Sequence, residues 1–259
     1  MTDPQNLAVE LASRAADLAL CLDFDGTLAP IVDDPDQARP LPGVVDLLGA
    51  LAGRFAAVAL VSGRPAGYLA EHAPAPGVRY LGMYGLEEIR DGRVWVDPRL
   101  AAGGPDVAAA HEDLRADPAV QDSGAYLEDK GYAVAVHTRR IADPAGWAVP
   151  LDRAARKIAA RHRLEVVPGK LVWELRPAVP SDKGDAVRRV AADSKARSVI
   201  VAGDDLGDLA AFTAASRIDA DGLRIGVRSA EAPPGLLAAA DLIVDGPTGL
   251  RQFLKRLLR

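Results

Sequence analysis

Three short apolar runs in this chain each end directly in a cluster of polar residues. They cover residues 18–22, 55–61 and 198–202, and they lead into the sequences DFDGT, SGR and GDDLGD. Amphipathic stretches such as 6–17 and 43–53 have helical spacing, so we predict strands that alternate with helices in a parallel sheet. Because the carboxyl ends of parallel strands lie at one edge of such a sheet, we expect the three polar clusters to form one site.

The middle of the chain has a different pattern. Predicted helices at 106–116 and 150–162 are each followed by a pair of strands. The first pair turns at Lys130-Gly131, and the second turns at 168–170. Such short connections join antiparallel strands, so we predict an α+β unit with the order αββαββ.

The two patterns together predict an α/β protein with two domains. A Rossmann-like parallel-sheet core comprises residues 1–97 and 178–259, and the α+β unit is inserted as a cap domain at 98–177. The stretches 98–104 and 176–180 contain several Gly, Ala or Pro residues and are predicted to be linkers.

Composition excludes several classes of partner. The chain has 31 Lys and Arg against 36 Asp and Glu, and a formal net charge of −5 gives no general attraction to nucleic acid or anionic membranes. The single cysteine, Cys21, cannot form an internal disulfide, which fits a reducing compartment. We find neither the pattern of a secretory signal nor an apolar run near the roughly 20 residues of a membrane span. We therefore expect a cytoplasmic protein with no nucleic-acid or membrane partner.

The DFDGT sequence carries the sharpest chemical signal. A carboxylate at a strand end can act as a covalent nucleophile toward phosphorus or an anomeric carbon, and Asp23 is the candidate. Asp25, two residues later, can donate a proton to the leaving oxygen and later take one from water. Gly26 permits a tight turn at this point. The alternative is a solvated acidic loop. It does not explain why DFDGT directly follows a buried strand, so we favour the catalytic interpretation.

The remaining clusters suit phosphate and metal chemistry. The Ser62 hydroxyl and the turn amide of Gly63 are candidate ligands of phosphate oxygens. Lys183, at a predicted helix start, offers a compact ammonium to neutralise an aspartate–phosphate pair. Several carboxylates at one strand end repel one another without a cation, and hard oxygen ligands suit Mg²⁺. The carboxylates concerned are Asp204, Asp205 and Asp208.

In this order, the motifs resemble those of the haloacid dehalogenase superfamily of phosphotransferases over essentially the whole chain. The resemblance implies that Asp23 becomes an aspartyl-phosphate, that Asp25 is the general acid and base, and that Lys183 stabilises the charge. It also implies that phosphate oxygens are bound by Thr27, Ser62 and Gly63. The metal ligands and their supporting residues would be Asp23, Asp25, Asp204, Asp205 and Asp208.

Motifs of the predicted cap indicate a particular family within this superfamily. The sequences EDKG at 128–131, HTR at 137–139 and WELRP at 173–177, with LCLDFDGTLAPI, are similar to those of trehalose-6-phosphate phosphatases. This implies Mg²⁺-dependent hydrolysis of trehalose 6-phosphate through an aspartyl-phosphate, as a step of trehalose biosynthesis. The sugar hydroxyls would be bound by Glu128, Lys130, Arg139 and Glu174. An ion-pair network on the cap surface is the alternative interpretation of these four residues.

Three departures from the family pattern leave alternatives open. Tyr84 stands where a histidine is usual, Leu206-Gly207 replaces the usual residues before Asp208, and Thr138 stands in the HTR triplet. The substrate could therefore be another sugar, cyclitol or pseudo-disaccharide phosphate. A phosphomutase and a sugar-phosphate-binding regulatory domain are further alternatives. In each case the partner is a small sugar phosphate, and we favour a monomer.

Overall fold

The computed structural model of the chain describes residues 4–219 and 221–259. Contacts divide the chain into two compact units. The first unit comprises Met1–Trp95 and Ser181–Arg259, and the second comprises Val96–Pro180. Among the described residues, we find no helix that is both long and apolar enough to cross a membrane.

The elements follow one another in three groups. The first group is α1 (Pro4–Ser13), β1 (Leu18–Leu22), α2 (Val44–Ala52), β2 (Ala57–Val61), α3 (Ala66–His72), β3 (Val78–Gly82), β4 (Glu87–Arg90) and β5 (Arg93–Val96). The middle group is α4 (Pro98–Ala102), α5 (Gly104–Ala116), α6 (Pro118–Ser123), β6 (Tyr126–Asp129), β7 (Val134–His137), α7 (Pro144–Arg161), β8 (Leu164–Gly169) and β9 (Val172–Pro177). The last group is α8 (Lys183–Ser194), β10 (Ser198–Gly203), α9 (Leu209–Ile218), β11 (Leu223–Arg228), α10 (Pro234–Ala239), β12 (Leu242–Asp245) and α11 (Gly246–Arg256).

The first unit is built on an eight-stranded sheet in the order β12-β11-β10-β1-β2-β3-β4-β5. The strands from β12 to β3 pair in parallel, and β4 pairs antiparallel with β3. Leu22 at the end of β1 is level with Leu60 of β2 and Ala202 of β10. This register brings the polar sequences that follow the three strands to the same edge of the sheet, as predicted.

Helices cover both faces of this sheet, and β1 shows how. Leu18, Leu20 and Leu22 pack in one apolar cluster with residues of α1, α2 and α11. The alternate residues Ala19 and Cys21 pack in a second cluster with α8, α9 and α10. All five residues of β1 are buried, which is typical of a central parallel strand and explains its continuous apolar sequence. The predicted α/β fold class is confirmed.

The second unit contains a four-stranded antiparallel sheet in the order β6-β7-β9-β8. Residues of α5, α6 and α7 pack with β7 and β9 in its apolar core. The helix α7 begins at Pro144, six residues before the predicted start at 150, because the Asp143 side chain caps it by accepting from Gly146 N. The helix continues through Pro150.

The first predicted linker is wrong, and the second is shorter than predicted, since only residues 178–180 of it lie outside a strand. Most of residues 98–104 are helical, in α4 and at the start of α5. The reason is local, because Pro98 stands at a first-turn position and the Asp97 carboxylate accepts from Arg99 N as a helix cap. Arg176 and Pro177 belong to β9, where Arg176 pairs with Glu165 of β8. Sequence reasoning also missed β3, β4, β5 and β11.

Candidate active site

Asp23 follows β1 directly and is held at the edge of the sheet. Its backbone N–H donates to the carbonyl of Ala202 in β10 over 3.0 Å. The Thr27 hydroxyl lies 3.3 Å from both Asp23 Oδ2 and Asp204 Oδ1. Thr27 therefore connects the carboxylate that follows β1 to the one that follows β10.

Gly26 allows these two carboxylates to approach. Its φ of +76° lies in the left-handed region, and a Cβ atom there would stand 2.0 Å from Asp204 Oδ2. Both the positive φ and the lack of room for a Cβ atom beside Asp204 therefore require glycine.

Lys183 is the first residue of α8, where Asp182 and Asp185 form a capping box. Its Nζ donates to Asp23 Oδ1 over 2.6 Å and to Asp208 Oδ1 over 2.7 Å. Burial alone would lower the pKa of Lys183, but the adjacent Asp208 and Asp23 raise it well above its usual value. The side chain is therefore a permanent buried cation between two carboxylates.

Asp23, Asp204 and Asp208 form a buried group whose carboxylate oxygens lie within 4.8 Å of one another. Burial, followed by the charges of Asp23 and Asp208, raises the pKa of Asp204 to about 9. Burial also raises the pKa of Asp23 to about 7, against the opposing effect of Lys183. If all three were ionised, these carboxylates would carry more negative charge than the single ammonium of Lys183 offsets, so their hard oxygen atoms need either protons or a cation among them. This donor set fits a divalent cation.

Asp208 organises the loop that carries Asp204. Its Oδ2 accepts from the backbone N–H groups of Asp204 and Asp205 at 3.0 and 3.1 Å, while its Oδ1 accepts from Lys183. Asp205 is exposed, and its side chain accepts from Leu206 N at the start of a short 3-10 turn. Within the described chain, the group of carboxylates that lie within 4.8 Å of one another contains neither Asp205 nor Asp25.

Asp25 forms a two-point ion pair with Arg64. Arg64 Nε donates to Asp25 Oδ2 over 2.8 Å, and Arg64 Nη2 donates to Asp25 Oδ1 over 2.9 Å. The structure thus brings the SGR sequence after β2 to the DFDGT sequence after β1. Sequence reasoning assigned no role to Arg64, although its place next to Ser62 and Gly63 was a signal.

Ser62 and Gly63 lie beside Tyr84. Tyr84 N donates to the Ser62 carbonyl over 2.9 Å, and the Tyr84 carbonyl accepts from the Ser181 hydroxyl over 2.9 Å. A Cβ atom on Gly63 would lie 2.8 Å from the Tyr84 hydroxyl oxygen. The loop is held in an unusual backbone conformation, because Met83 and Tyr84 both have positive φ. The residue that departs from the family pattern is therefore part of this site.

The second unit brings together three of its four predicted site residues. Glu128 and Glu174 both pair with Ala135 of β7, from opposite sides, so their side chains share one face of the sheet. Lys130 Nζ lies 2.6 Å from Glu174 Oε2 and 4.0 Å from Glu128 Oε2. His137, not among the predicted residues, lies 2.8 Å from Glu128.

Glu174 Oε1 is buried without a hydrogen-bond partner among the described residues. A buried acceptor of this kind costs free energy until a donor reaches it. Arg139, the fourth predicted residue, follows the end of β7 by two positions and is half-buried.

The fold is that of haloacid dehalogenase-like hydrolases of known structure. A solved haloacid dehalogenase-like hydrolase from Bacteroides thetaiotaomicron superposes with a TM-score of 0.61 at 17% identity, covering 92% of this chain and 98% of that one. Residues 21–235 match the family model described as trehalose-phosphatase. The chain belongs to the trehalose-phosphatase family, which confirms the resemblance inferred from its motifs.

Two further relatives support this membership. A trehalose-phosphate phosphatase from Mycobacterium leprae is 36% identical over 252 residues, which cover 93% of this chain and 57% of that protein. The chain thus spans somewhat more than half the length of this relative. A solved trehalose-6-phosphate phosphatase related protein superposes with a TM-score of 0.77 at 26% identity, covering 93% of this chain and 96% of that one.

Proposed function

We propose that this protein is a phosphoric monoester hydrolase that converts trehalose 6-phosphate to trehalose and phosphate. The observation that carries the proposal is the buried contact of Lys183 with Asp23 and Asp208, beside Asp204. In this arrangement Lys183 favours the ionised form of the Asp23 carboxylate against the effect of burial, and the clustered carboxylate oxygens can take up a cation in place of protons. Phosphoryl transfer depends mainly on such positioning and charge stabilisation.

In the first step, an Asp23 oxygen attacks phosphorus. A bond forms between this oxygen and phosphorus as the bond from phosphorus to the sugar oxygen breaks. Asp25 gives a proton to the departing sugar oxygen, so the sugar leaves as a neutral alcohol. Lys183 stabilises the charge on Asp23 and on the transferred group. We assign Thr27, Ser62 and Gly63 to the phosphate oxygens.

In the second step, water attacks the phosphorus of the aspartyl-phosphate. Asp25 takes a proton from this water, the bond between phosphorus and Asp23 breaks, and inorganic phosphate leaves. Both side chains return to their starting states, so no external reactant other than water is consumed.

We propose Mg²⁺ as the cation, held by the carboxylates of Asp23 and Asp204 and the backbone carbonyl of Asp25. When bound, Mg²⁺ supplies positive charge that offsets the charge of the phosphate and the carboxylates. We assign Asp208 to holding Lys183 and the loop of Asp204, because its Oδ1 accepts from Lys183 and its Oδ2 from the backbone N–H of Asp204. Asp205 supports the site from the same loop.

We propose that the second unit recognises the sugar. Lys130 donates to oxygens there, while Glu128 and Glu174 accept from hydroxyl groups, and Glu174 Oε1 has no hydrogen-bond donor among the described residues. Arg139 is assigned to the same role. The division into a hydrolase core (1–97 and 178–259) and a specificity cap (98–177) is part of this proposal, as are a cytoplasmic location and a monomeric state.

A second candidate substrate class follows from Tyr84. Its position beside Ser62 and Gly63 fits a family member that acts on another sugar, cyclitol or pseudo-disaccharide phosphate. Phosphate release from trehalose, sucrose, glucose and cyclitol phosphates, with Mg²⁺ and with EDTA, separates the two. We expect Mg²⁺-dependent turnover with a preference for trehalose 6-phosphate. A preference for a different ester would favour the second class, and isomer formation without phosphate release would indicate a phosphomutase.

A further inference from the structure

We propose that Arg64 is a positioning residue that holds the Asp25 carboxyl group in the orientation from which it exchanges a proton with the leaving oxygen and with water. The inference deepens the proposed function and rests on it. Arg64 has no role in the two proposed steps of phosphate ester hydrolysis.

The contact between the two side chains fixes the carboxylate plane. Two nitrogens of the Arg64 guanidinium bind the two oxygens of Asp25, at 2.8 and 2.9 Å. A paired contact of this geometry restrains rotation in a way that a single hydrogen bond does not. The Arg64 side chain is only 8% exposed, whereas that of Asp25 is 31% exposed. The buried Arg64 therefore holds the Asp25 side chain, part of which remains exposed to solvent.

Arg64 is itself held at several points. Its backbone N donates to the Ser62 hydroxyl over 3.2 Å, and its carbonyl accepts from Met83 N over 2.9 Å. Its guanidinium lies 4.7 Å from the centre of the Tyr68 ring, within cation–π distance. Because these contacts fix the position of Arg64, its guanidinium can in turn fix the position of the Asp25 carboxylate.

The Tyr68 ring connects this arrangement to the nucleophile strand. The Tyr68 hydroxyl lies 3.1 and 3.0 Å from the carbonyls of Pro35 and Ala38. Its ring packs edge-on against Phe24, with centroids 6.1 Å apart. Phe24 is fully buried and stands between Asp23 and Asp25 in the chain. Asp25 thus contacts Arg64, Arg64 contacts Tyr68, and Tyr68 contacts Phe24, the residue that precedes Asp25 in the chain.

The two aspartates have separate cationic partners. Lys183 binds Asp23, and Arg64 binds Asp25. This separation suits two carboxyl groups with different tasks, because a nucleophile must stay charged and a proton carrier must stay within about 2.6–3.2 Å of its partner atom. Without Arg64, a partly exposed Asp25 would sample other rotamers, and proton transfer would slow.

The test compares substrates that differ in their need for a proton. Trehalose 6-phosphate has an alcohol leaving group that requires one, whereas p-nitrophenyl phosphate has a leaving group that does not. For Arg64→Ala we expect kcat on trehalose 6-phosphate to fall about 10²-fold with KM changed less than about threefold. With p-nitrophenyl phosphate we expect a burst of one equivalent of p-nitrophenol, followed by slow turnover, because only the second step needs Asp25. Arg64→Lys, with a point charge in place of the paired donors, should be intermediate.

Arg224→Ala is the matched control, since Arg224 makes a two-nitrogen pair with Asp241 in the same unit. It should show normal kinetics. Equal losses on both substrates without a burst, or unchanged activity in Arg64→Ala, would overturn the inference. If Arg64→Ala does not fold, Arg64→Lys decides between the same outcomes. A wild-type protein that hydrolyses neither ester overturns the proposed function itself.

Discussion

The Nζ atom of Lys183 lies 2.6 Å from Asp23 Oδ1, so the nucleophile proposed at the end of β1 shares a hydrogen bond with the first residue of α8. The same ammonium reaches Asp208 over 2.7 Å. The charge balance of the site therefore depends on this one side chain, with three buried carboxylates around it.

We predict that Lys183→Met costs both activity and stability. Loss of the ammonium leaves Asp23 and Asp208 buried without their counter-ion, which typically costs about 3–5 kcal/mol of unfolding free energy. We expect kcat to fall at least about 10³-fold, because the transferred group loses its cationic partner. Denaturant unfolding and phosphate release measure the two effects. Lys255→Met, at an exposed position of α11, is the control and should change neither.

We predict that Gly26→Ala inactivates the enzyme. The new Cβ would lie 2.0 Å from Asp204 Oδ2, so Asp204 must move away from Asp23 and Thr27. Gly43→Ala is a matched control, because Gly43 has φ +79° and no atom within 4 Å of the added carbon. Both variants should lose about 1 kcal/mol from backbone strain, but only Gly26→Ala should lose most of its turnover. Equal turnover by the Gly26→Ala and Gly43→Ala variants would show that activity does not depend on the close approach of Gly26 to Asp204.

We predict that the stability of the metal-free protein falls as the pH rises. The pKa of Asp23 is raised from 3.8 to about 7 and that of Asp204 to about 9, chiefly by burial. A group whose pKa is raised on folding contributes stability below its unfolded pKa, and this contribution is lost as the pH rises through the folded value. Thermal unfolding in EDTA should therefore give a lower midpoint near about pH 8.5 than near about pH 5.5.

The cation should offset this loss. The increase in unfolding temperature on adding Mg²⁺ should be larger at the higher pH, since the ion takes the place of bound protons. Asp204→Asn removes one of the titrating groups, so in EDTA its midpoint should depend less on pH than that of the wild type. A Mg²⁺ effect that is the same at both pH values would contradict the assignment of the buried carboxylates to a cation.

We predict that Glu174→Ala separates sugar recognition from chemistry. Glu174 lies in the second unit and contacts Lys130 over 2.6 Å, so its loss removes an acceptor for hydroxyl groups. We expect kcat/KM for trehalose 6-phosphate to fall about 10²-fold, whereas that for p-nitrophenyl phosphate should change less than about threefold. Asp106→Ala, which breaks an exposed ion pair with Arg163 in the same unit, is the control. Equal losses on both substrates would argue against a sugar-binding role.

The sequence was informative where one signal was strong and local. β1 has five consecutive apolar residues, all of them buried, and the DFDGT sequence follows it directly. The parallel order then places the polar ends of β1, β2 and β10 together. The association of Asp23 with Lys183, which lies 160 residues later, was expected from the family resemblance that the order of the motifs carries.

The sequence was less informative where charges are buried or far apart along the chain. β4 has the sequence EEIR, which is typical of an exposed segment, yet Glu87 and Glu88 are buried. Glu87 accepts from Ala66 N, and Glu88 pairs with Arg79, so tertiary contacts offset the cost of burial. The pair of Asp25 with Arg64 spans 39 residues, and no spacing rule predicts it.

The insertion of the second unit between residues 95 and 181 sets the order in which a growing chain acquires its site. Asp23 leaves the ribosome 160 residues before Lys183, and Asp204 and Asp208 emerge later still. Until then the proposed nucleophile lacks the Lys183 ammonium and the two carboxylates that lie beside it in the folded protein. The Asp23 carboxylate therefore lacks its completed site until the inserted unit, α8 and β10 have all been synthesised.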